Sequence, residues 1–159
     1  MKRSPKELDA RVGEMIERCR SAGMNLTPQR VVIYRALLES EDHPSPEALR
    51  DRVKEQLPAV SLATIYKTLD VLVDLGLASE LASVGNTKRY DGNMGAHHHL
   101  VCESCGRVED YDDDRLAKLP LPKGLNGFTP RHLSIHIHGL CSSCRNQPPR
   151  KEKKSWPRN

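Results

Sequence analysis

Aromatic side chains are scarce: one Phe, one Trp and four Tyr make up 4% of the 159 residues. A core here must rest on Leu, Val and Ile, in one ordinary domain or two small ones, and the chain is too short for a large enzyme. It contains no run of about 18 apolar residues, which excludes a membrane-spanning helix. The opening residues Met1-Lys2-Arg3-Ser4-Pro5-Lys6-Glu7 lead into a charged amphipathic stretch with no apolar segment, which excludes a secretory signal there. A cytoplasmic protein is expected.

Charge is unevenly placed. The formal net charge is +4, but residues 1–90 carry 14 basic and 13 acidic side chains, and residues 91–144 carry 5 and 7. The excess lies in residues 145–159, with 6 basic groups, 1 acidic group and three prolines. Such a composition predicts a disordered basic tail, assigned to 147–159. A nucleic-acid reader in the body of the chain must therefore work through local placement of basic groups.

The first half reads as helices. Leu8, Val12, Met15, Ile16 and Cys19 recur at helical spacing from about Pro5 to Ala22, which places Cys19 in the packing of that helix, and Gly23 ends it. Thr27-Pro28 opens a second helix to about Glu39, and Ser45-Pro46 a third to about Gln56. Ser61 caps a fourth, with Ile65, Leu69, Leu72 and Val73 as its stripe and Gly76 at its end. Two extended runs, Leu77 to Leu81 and Thr87 to Asp91, then form a hairpin. Helices followed at once by a hairpin is the order of a winged helix, a helix-turn-helix variant. The last third is β-rich: strands His99 to Cys102 and Arg107 to Asp110, a short helix from Asp112-Asp113-Asp114 to about Leu119, and an alternating run from Phe128 to Leu140. The fold expected is α+β, with residues 1–90 as one domain and 91–146 as a second.

Two constellations carry chemistry. Cys102-Glu103-Ser104-Cys105 and Cys141-Ser142-Ser143-Cys144 offer four thiolates, which suit a closed tetrahedral zinc site; redox cysteines or two disulfides are the alternative. With no open position, such a zinc is structural. His43, Asp91, His97, His99 and Asp110 make a second set. On a strand His97 and His99 point the same way, and three imidazoles with two carboxylates suit Fe²⁺ or Mn²⁺. No His-x-Glu beside a Pro-Cys-x-x-Cys, no His-Glu-x-x-His, no nucleophile with its base and no phosphate-cradling glycine loop is present, so no enzyme is expected and no small-molecule substrate. A zinc-binding adaptor without DNA binding is the alternative of another class.

The motifs LTPQR (Leu26 to Arg30), DHPSPEAL (Asp42 to Leu49), SLATIYKTLDVL (Ser61 to Leu72), KRYD (Lys88 to Asp91), HHHLVCESCG (His97 to Gly106), GRVED (Gly106 to Asp110) and IHIHGLCSSC (Ile135 to Cys144) resemble, in this order, the ferric uptake regulator family. The likeness covers roughly residues 8–146. It implies a winged-helix DNA-binding domain, a small α/β dimerisation domain, a Cys₄ structural zinc and a regulatory metal between domains. Position by position, the family's regulatory ligands fall on His43, Asp91, His97, His99 and Asp110. Aspartate at both carboxylate positions resembles the peroxide-response branch, whereas the iron-uptake branch usually has Glu at both. A zinc-uptake regulator would use a cysteine there, and none remains. The family's additional His-rich site is only partly matched: Ala96 and Leu133 stand at two of its positions, so His98, His132, His136 and His138 are read as non-ligands.

The resemblance makes the fourth helix the recognition helix. Ser61, Thr64, Tyr66 and Lys67 lie on its N-terminal part and would meet DNA, while Arg30, Lys88 and Arg89 would contact phosphates. Packing is the alternative for Tyr66, and Lys67 departs from both branches. The function implied is a homodimeric, metal-dependent transcriptional repressor on a palindromic double-stranded operator. Peroxide would be sensed through the regulatory Fe²⁺, a ligand histidine (His43 and His97 match) gaining one oxygen; an iron-responsive uptake regulator is the alternative.

Overall fold

The computed structural model describes residues 3–84, 87–95, 97–120, 126–129 and 133–146. The basic tail, His132 and Ala96 lie outside the described residues. No helix among those described is long and apolar enough to cross a membrane. The chain divides into two compact units: the chain to Ser83 with Thr87–Gly95, and the chain from Ala96 onward, with which Val84–Asn86 is grouped.

The first unit holds α1 (Pro5–Ser21), α2 (Pro28–Leu38), α3 (Pro46–Val53) and α4 (Leu62–Asp74), then the ribbon of β1 (Ser79–Val84) and β2 (Thr87–Asp91). The four helix starts have one cause. Ser4, Thr27, Ser45 and Ser61 sit in extended backbone and accept a hydrogen bond from the amide three residues on, and the first three are followed by proline. Each such cap stabilises its helix by about 1 kcal/mol. Ser4 and Glu7 complete a reciprocal capping box. At the other end of α4, Gly76 takes φ +64, a left-handed turn that suits glycine, and a Cβ there would meet the Arg18 guanidinium at 3.2 Å.

The core is aliphatic, as the aromatic shortage requires. Met15, Ile33, Leu37, Leu38, Leu49, Ile65, Leu69 and Leu72 are fully covered, together with Tyr34 and Tyr90. Cys19 is packed among them at 0% exposure, which bears out its packing role. Two helix readings need correction. α3 stops at Val53, not Gln56: the Gln56 amide leaves the helical ladder for the Val53 carbonyl three residues back at 3.1 Å, Pro58 has no N–H to continue the ladder, and Leu57 packs against the core. Val73 is 36% exposed and leaves the buried stripe of α4 to Ile65, Leu69 and Leu72. β1 starts later than expected because the amides of Leu77 and Ala78 both close on the Leu72 carbonyl.

The second unit holds β3 (His98–Cys102), β4 (Val108–Tyr111), α5 (Asp114–Ala117), β5 (His136–Gly139) and α6 (Ser142–Arg145). The sheet order is β4-β3-β5, with β3 antiparallel to β4 and parallel to β5. The alternating run expected from Phe128 to Leu140 is described only in part. Among the described residues of that run the strand is His136–Gly139, with the Ile135 carbonyl accepting from the His99 amide at 2.9 Å; residues 130–132 lie outside the described residues, and Asn126 and Gly127 before the run are left-handed. α6, one turn inside the second Cys pair, was not expected from the sequence.

Candidate metal centres and nucleic-acid interface

Four sulfurs converge in the second unit. Cys102 ends β3, and the chain turns through left-handed Gly106 (φ +71) so that Cys105 faces back; the Gly106 amide donates to the Cys102 carbonyl at 2.8 Å. Cys141 caps α6 and Cys144 lies on it. The four Sγ atoms lie within 4.8 Å of one another, and Cys105 Sγ is 3.8 Å from Cys141 Sγ. Tetrahedral zinc with bonds of about 2.3 Å sets its sulfurs roughly 3.8 Å apart, so the residues present fit that ion. Burial pushes the Cys102 thiol up. The amides of Cys141, Cys105 and Ser104 turned toward its sulfur outweigh this and bring it down to about 6, so it presents a thiolate near neutral pH. The Cys141 amide is 3.4 Å from that sulfur.

The same unit carries three nitrogen and oxygen donors. His97 Nε2 lies 2.9 Å from His99 Nε2 and 3.5 Å from Asp110 Oδ1. His99 on β3 stands opposite Asp110 on β4 in the sheet register. Two nitrogens bound at right angles to one ion at about 2.1 Å would be roughly 3 Å apart, which these imidazoles match. His98 points to the other face of β3 and is buried. His136 is half-buried, with its ring 5.0 Å from that of His99, and His138 is exposed.

The first unit carries a separate pair. His43 Nε2 lies 3.6 Å from Asp91 Oδ1, and both side chains are 4% exposed. His43 sits between α2 and α3 at φ +47, a left-handed conformation that costs an L residue about 1–2 kcal/mol. Asp91 ends β2, and its Oδ1 accepts from the Asn93 amide at 2.6 Å.

On α4 the N-terminal turn is partly exposed, through Ser61 and Ala63. Ser61 caps the helix on the Thr64 amide, the two hydroxyls lie 2.9 Å apart, and Lys67 is exposed. Tyr66 is half-buried, its hydroxyl donating to Glu47 of α3 at 3.3 Å. The cations expected on phosphates have partners in the fold. Lys88 pairs with Glu80 at 2.9 Å, Arg30 donates to the Asn25 carbonyl at 2.5 Å, and Arg89 donates to the carbonyls of His43 and Asp42. The sequence reading missed this role of Arg89; no residue pattern signals a bond to backbone carbonyls about 46 positions away.

Residues 21–138 match the ferric uptake regulator family. The peroxide-responsive repressor PerR of Staphylococcus epidermidis is 33% identical over 141 residues, 88% of this chain and 94% of that protein. The solved peroxide stress regulator of Campylobacter jejuni is 31% identical, covers 74% of this chain and 89% of its own, and superposes with a TM-score of 0.59. The ferric uptake regulator of Helicobacter pylori, only 18% identical, shares the fold over 88% of this chain and 95% of its own, at a TM-score of 0.69. The chain belongs to the ferric uptake regulator family of metal-responsive transcriptional regulators.

Proposed function

We propose that this protein is a homodimeric repressor that binds a palindromic DNA operator when a regulatory Fe²⁺ or Mn²⁺ is held, and that it senses peroxide through the iron form. The observation that carries the reading is the separation of donor types. The four sulfurs outside the α1 core are gathered in one cage, and His97, His99 and Asp110, like His43 with Asp91, offer only nitrogen and oxygen. Such donors favour Fe²⁺ and Mn²⁺ over soft metals.

In this reading Cys102, Cys105, Cys141 and Cys144 hold a structural zinc, and His43, Asp91, His97, His99 and Asp110 together hold the regulatory ion. Residues 1–90 form the winged helix, with α4 meeting base edges through Ser61, Thr64, Tyr66 and Lys67. Residues 91–146 dimerise. β5 is an edge strand on which Ile137 is 41% exposed, with Leu140 beyond it at 55%, an apolar border that a second copy would cover. An iron held by these residues would supply the redox chemistry for H₂O₂ to oxidise a ring C–H of His43 or His97 by two electrons, one peroxide oxygen staying on the carbon and the other leaving as water. The altered ring would no longer hold the metal, and the operator would be released.

The test exposes the Fe²⁺ and Mn²⁺ forms briefly to micromolar peroxide, then measures operator binding and the mass of the tryptic peptides bearing His43 and His97. One added oxygen with loss of DNA binding in the Fe²⁺ form alone supports sensing. Unmodified histidines with DNA binding retained move the protein to an iron-responsive regulator. Failure to bind any DNA with either metal leaves a zinc-binding adaptor.

A further inference from the structure

We infer that Arg89 is a positioning residue for the regulatory metal, fixing the His43 imidazole through the backbone of the loop that carries it; this rests on the reading of His43 and Asp91 as ligands.

A left-handed non-glycine residue persists only where its surroundings hold it. His43, at φ +47, is held on both sides. Before it, Asp42 Oδ2 accepts from Arg52 Nη2 at 2.6 Å, and Arg52 Nη1 donates to Ser40 Oγ at 2.5 Å, which anchors the approach to α3. At the residue itself, Arg89 Nη1 donates to the His43 carbonyl at 2.9 Å and to the Asp42 carbonyl at 3.3 Å. After it, the Pro44 carbonyl accepts from the Tyr90 amide at 3.2 Å. Consecutive residues of β2 thus grip consecutive carbonyls of the loop, and Asp91, the next residue along, places its carboxylate 3.6 Å from His43.

Alternation along β2 puts Arg89 and Asp91 on one face of the strand. One strand therefore delivers one ligand and the clamp on the other. A guanidinium stays charged at any physiological pH and carries its donors in a fixed plane, so the clamp does not slacken with proton concentration. Its place in the wing alone would make Arg89 a phosphate contact, but its half-buried bonds run to the loop.

The test uses the full-length, zinc-loaded protein with Arg89→Met, Arg89→Lys and, as reference, His43→Ala. The readouts are Mn²⁺ affinity by titration, zinc content, operator affinity and its salt slope at saturating Mn²⁺, and amide exchange at Tyr90 without Mn²⁺. Arg89→Met is expected to weaken Mn²⁺ about 10–100-fold and to speed exchange at Tyr90. Zinc content should stay unchanged, and operator binding should return at saturating Mn²⁺. Arg89→Lys, one donor group in place of a planar fork, should fall between, and it serves if the Met variant does not fold. Wild-type Mn²⁺ affinity in both Arg89 variants, while His43→Ala binds weakly, overturns the positioning role. A salt slope lowered by about one would then make Arg89 a phosphate contact. Wild-type Mn²⁺ affinity in His43→Ala overturns the ligand reading, and the inference with it.

Discussion

The Tyr66 hydroxyl of α4 donates to Glu47 in the first turn of α3, at 3.3 Å. The carboxylate is drawn below its ordinary range, first by its own backbone amide and then by Ser45 and Tyr66. It therefore stands as a negative charge beside the face proposed to meet DNA. Tyr66→Phe is expected to leave the thermal midpoint nearly unchanged, because this bond is exposed. Operator affinity should drop about 2–10-fold if the hydroxyl changes partner from Glu47 to DNA. Glu47→Gln should tighten binding modestly and at all sequences alike. Gel-shift titrations of both variants measure this, and unchanged affinity in both would separate the pair from the interface.

Cys102→Ser and Cys141→Ser each remove one sulfur from the cage. Structural zinc contributes roughly 10–16 kcal/mol of apparent binding free energy, far beyond what a small unit whose buried apolar groups among the described residues are Val101, Val108, Cys102 and Cys144 can replace. Both variants are expected to lose zinc and the dimer together, seen by metal analysis and light scattering. A zinc-free variant that stays dimeric and binds operator would contradict the structural role.

Lys67→Ala should weaken operator binding with zinc content and dimer intact, since its side chain is exposed. A phosphate contact shows as a uniform loss with the salt slope lowered by about one; a base contact shows as relaxed discrimination at one operator position, worth about 1–3 kcal/mol.

His136 lies close to the proposed ligands yet is read as a bystander. Burial holds its ring below the usual imidazole range, and His99 and His138 add to this, so it is neutral at physiological pH and costs little where it stands. His136→Ala should leave Mn²⁺ affinity unchanged, whereas His97→Ala and His99→Ala should abolish measurable binding. Equal losses in all three would add His136 to the ligand set.

Helix starts were legible in the sequence because a cap is a local matter: Thr27-Pro28, Ser45-Pro46 and Ser61 each state where a helix begins. The ends were less so. Whether α3 runs on depends on where Leu57 finds its core. The cysteine cage could be read from spacing, since each pair is a single turn. The grip of Arg89 on the loop before α3 could not, because its partners are backbone carbonyls that only the folded chain brings near.

β5 runs parallel to β3, with Cys102 level with Gly139, so both cysteine pairs follow the same end of the sheet. A strand of four residues with one neighbour among the described residues has little to choose its alignment, and a slip of one residue would exchange the faces of Ile137 and its flanking histidines. That slip would also carry Cys141 about 3.3 Å along the strand, too far to share an ion with Cys105. An ion seated among the four sulfurs thus acts as a gauge: it accepts one alignment of the sheet and rejects the neighbouring ones, proofreading the fold it holds together.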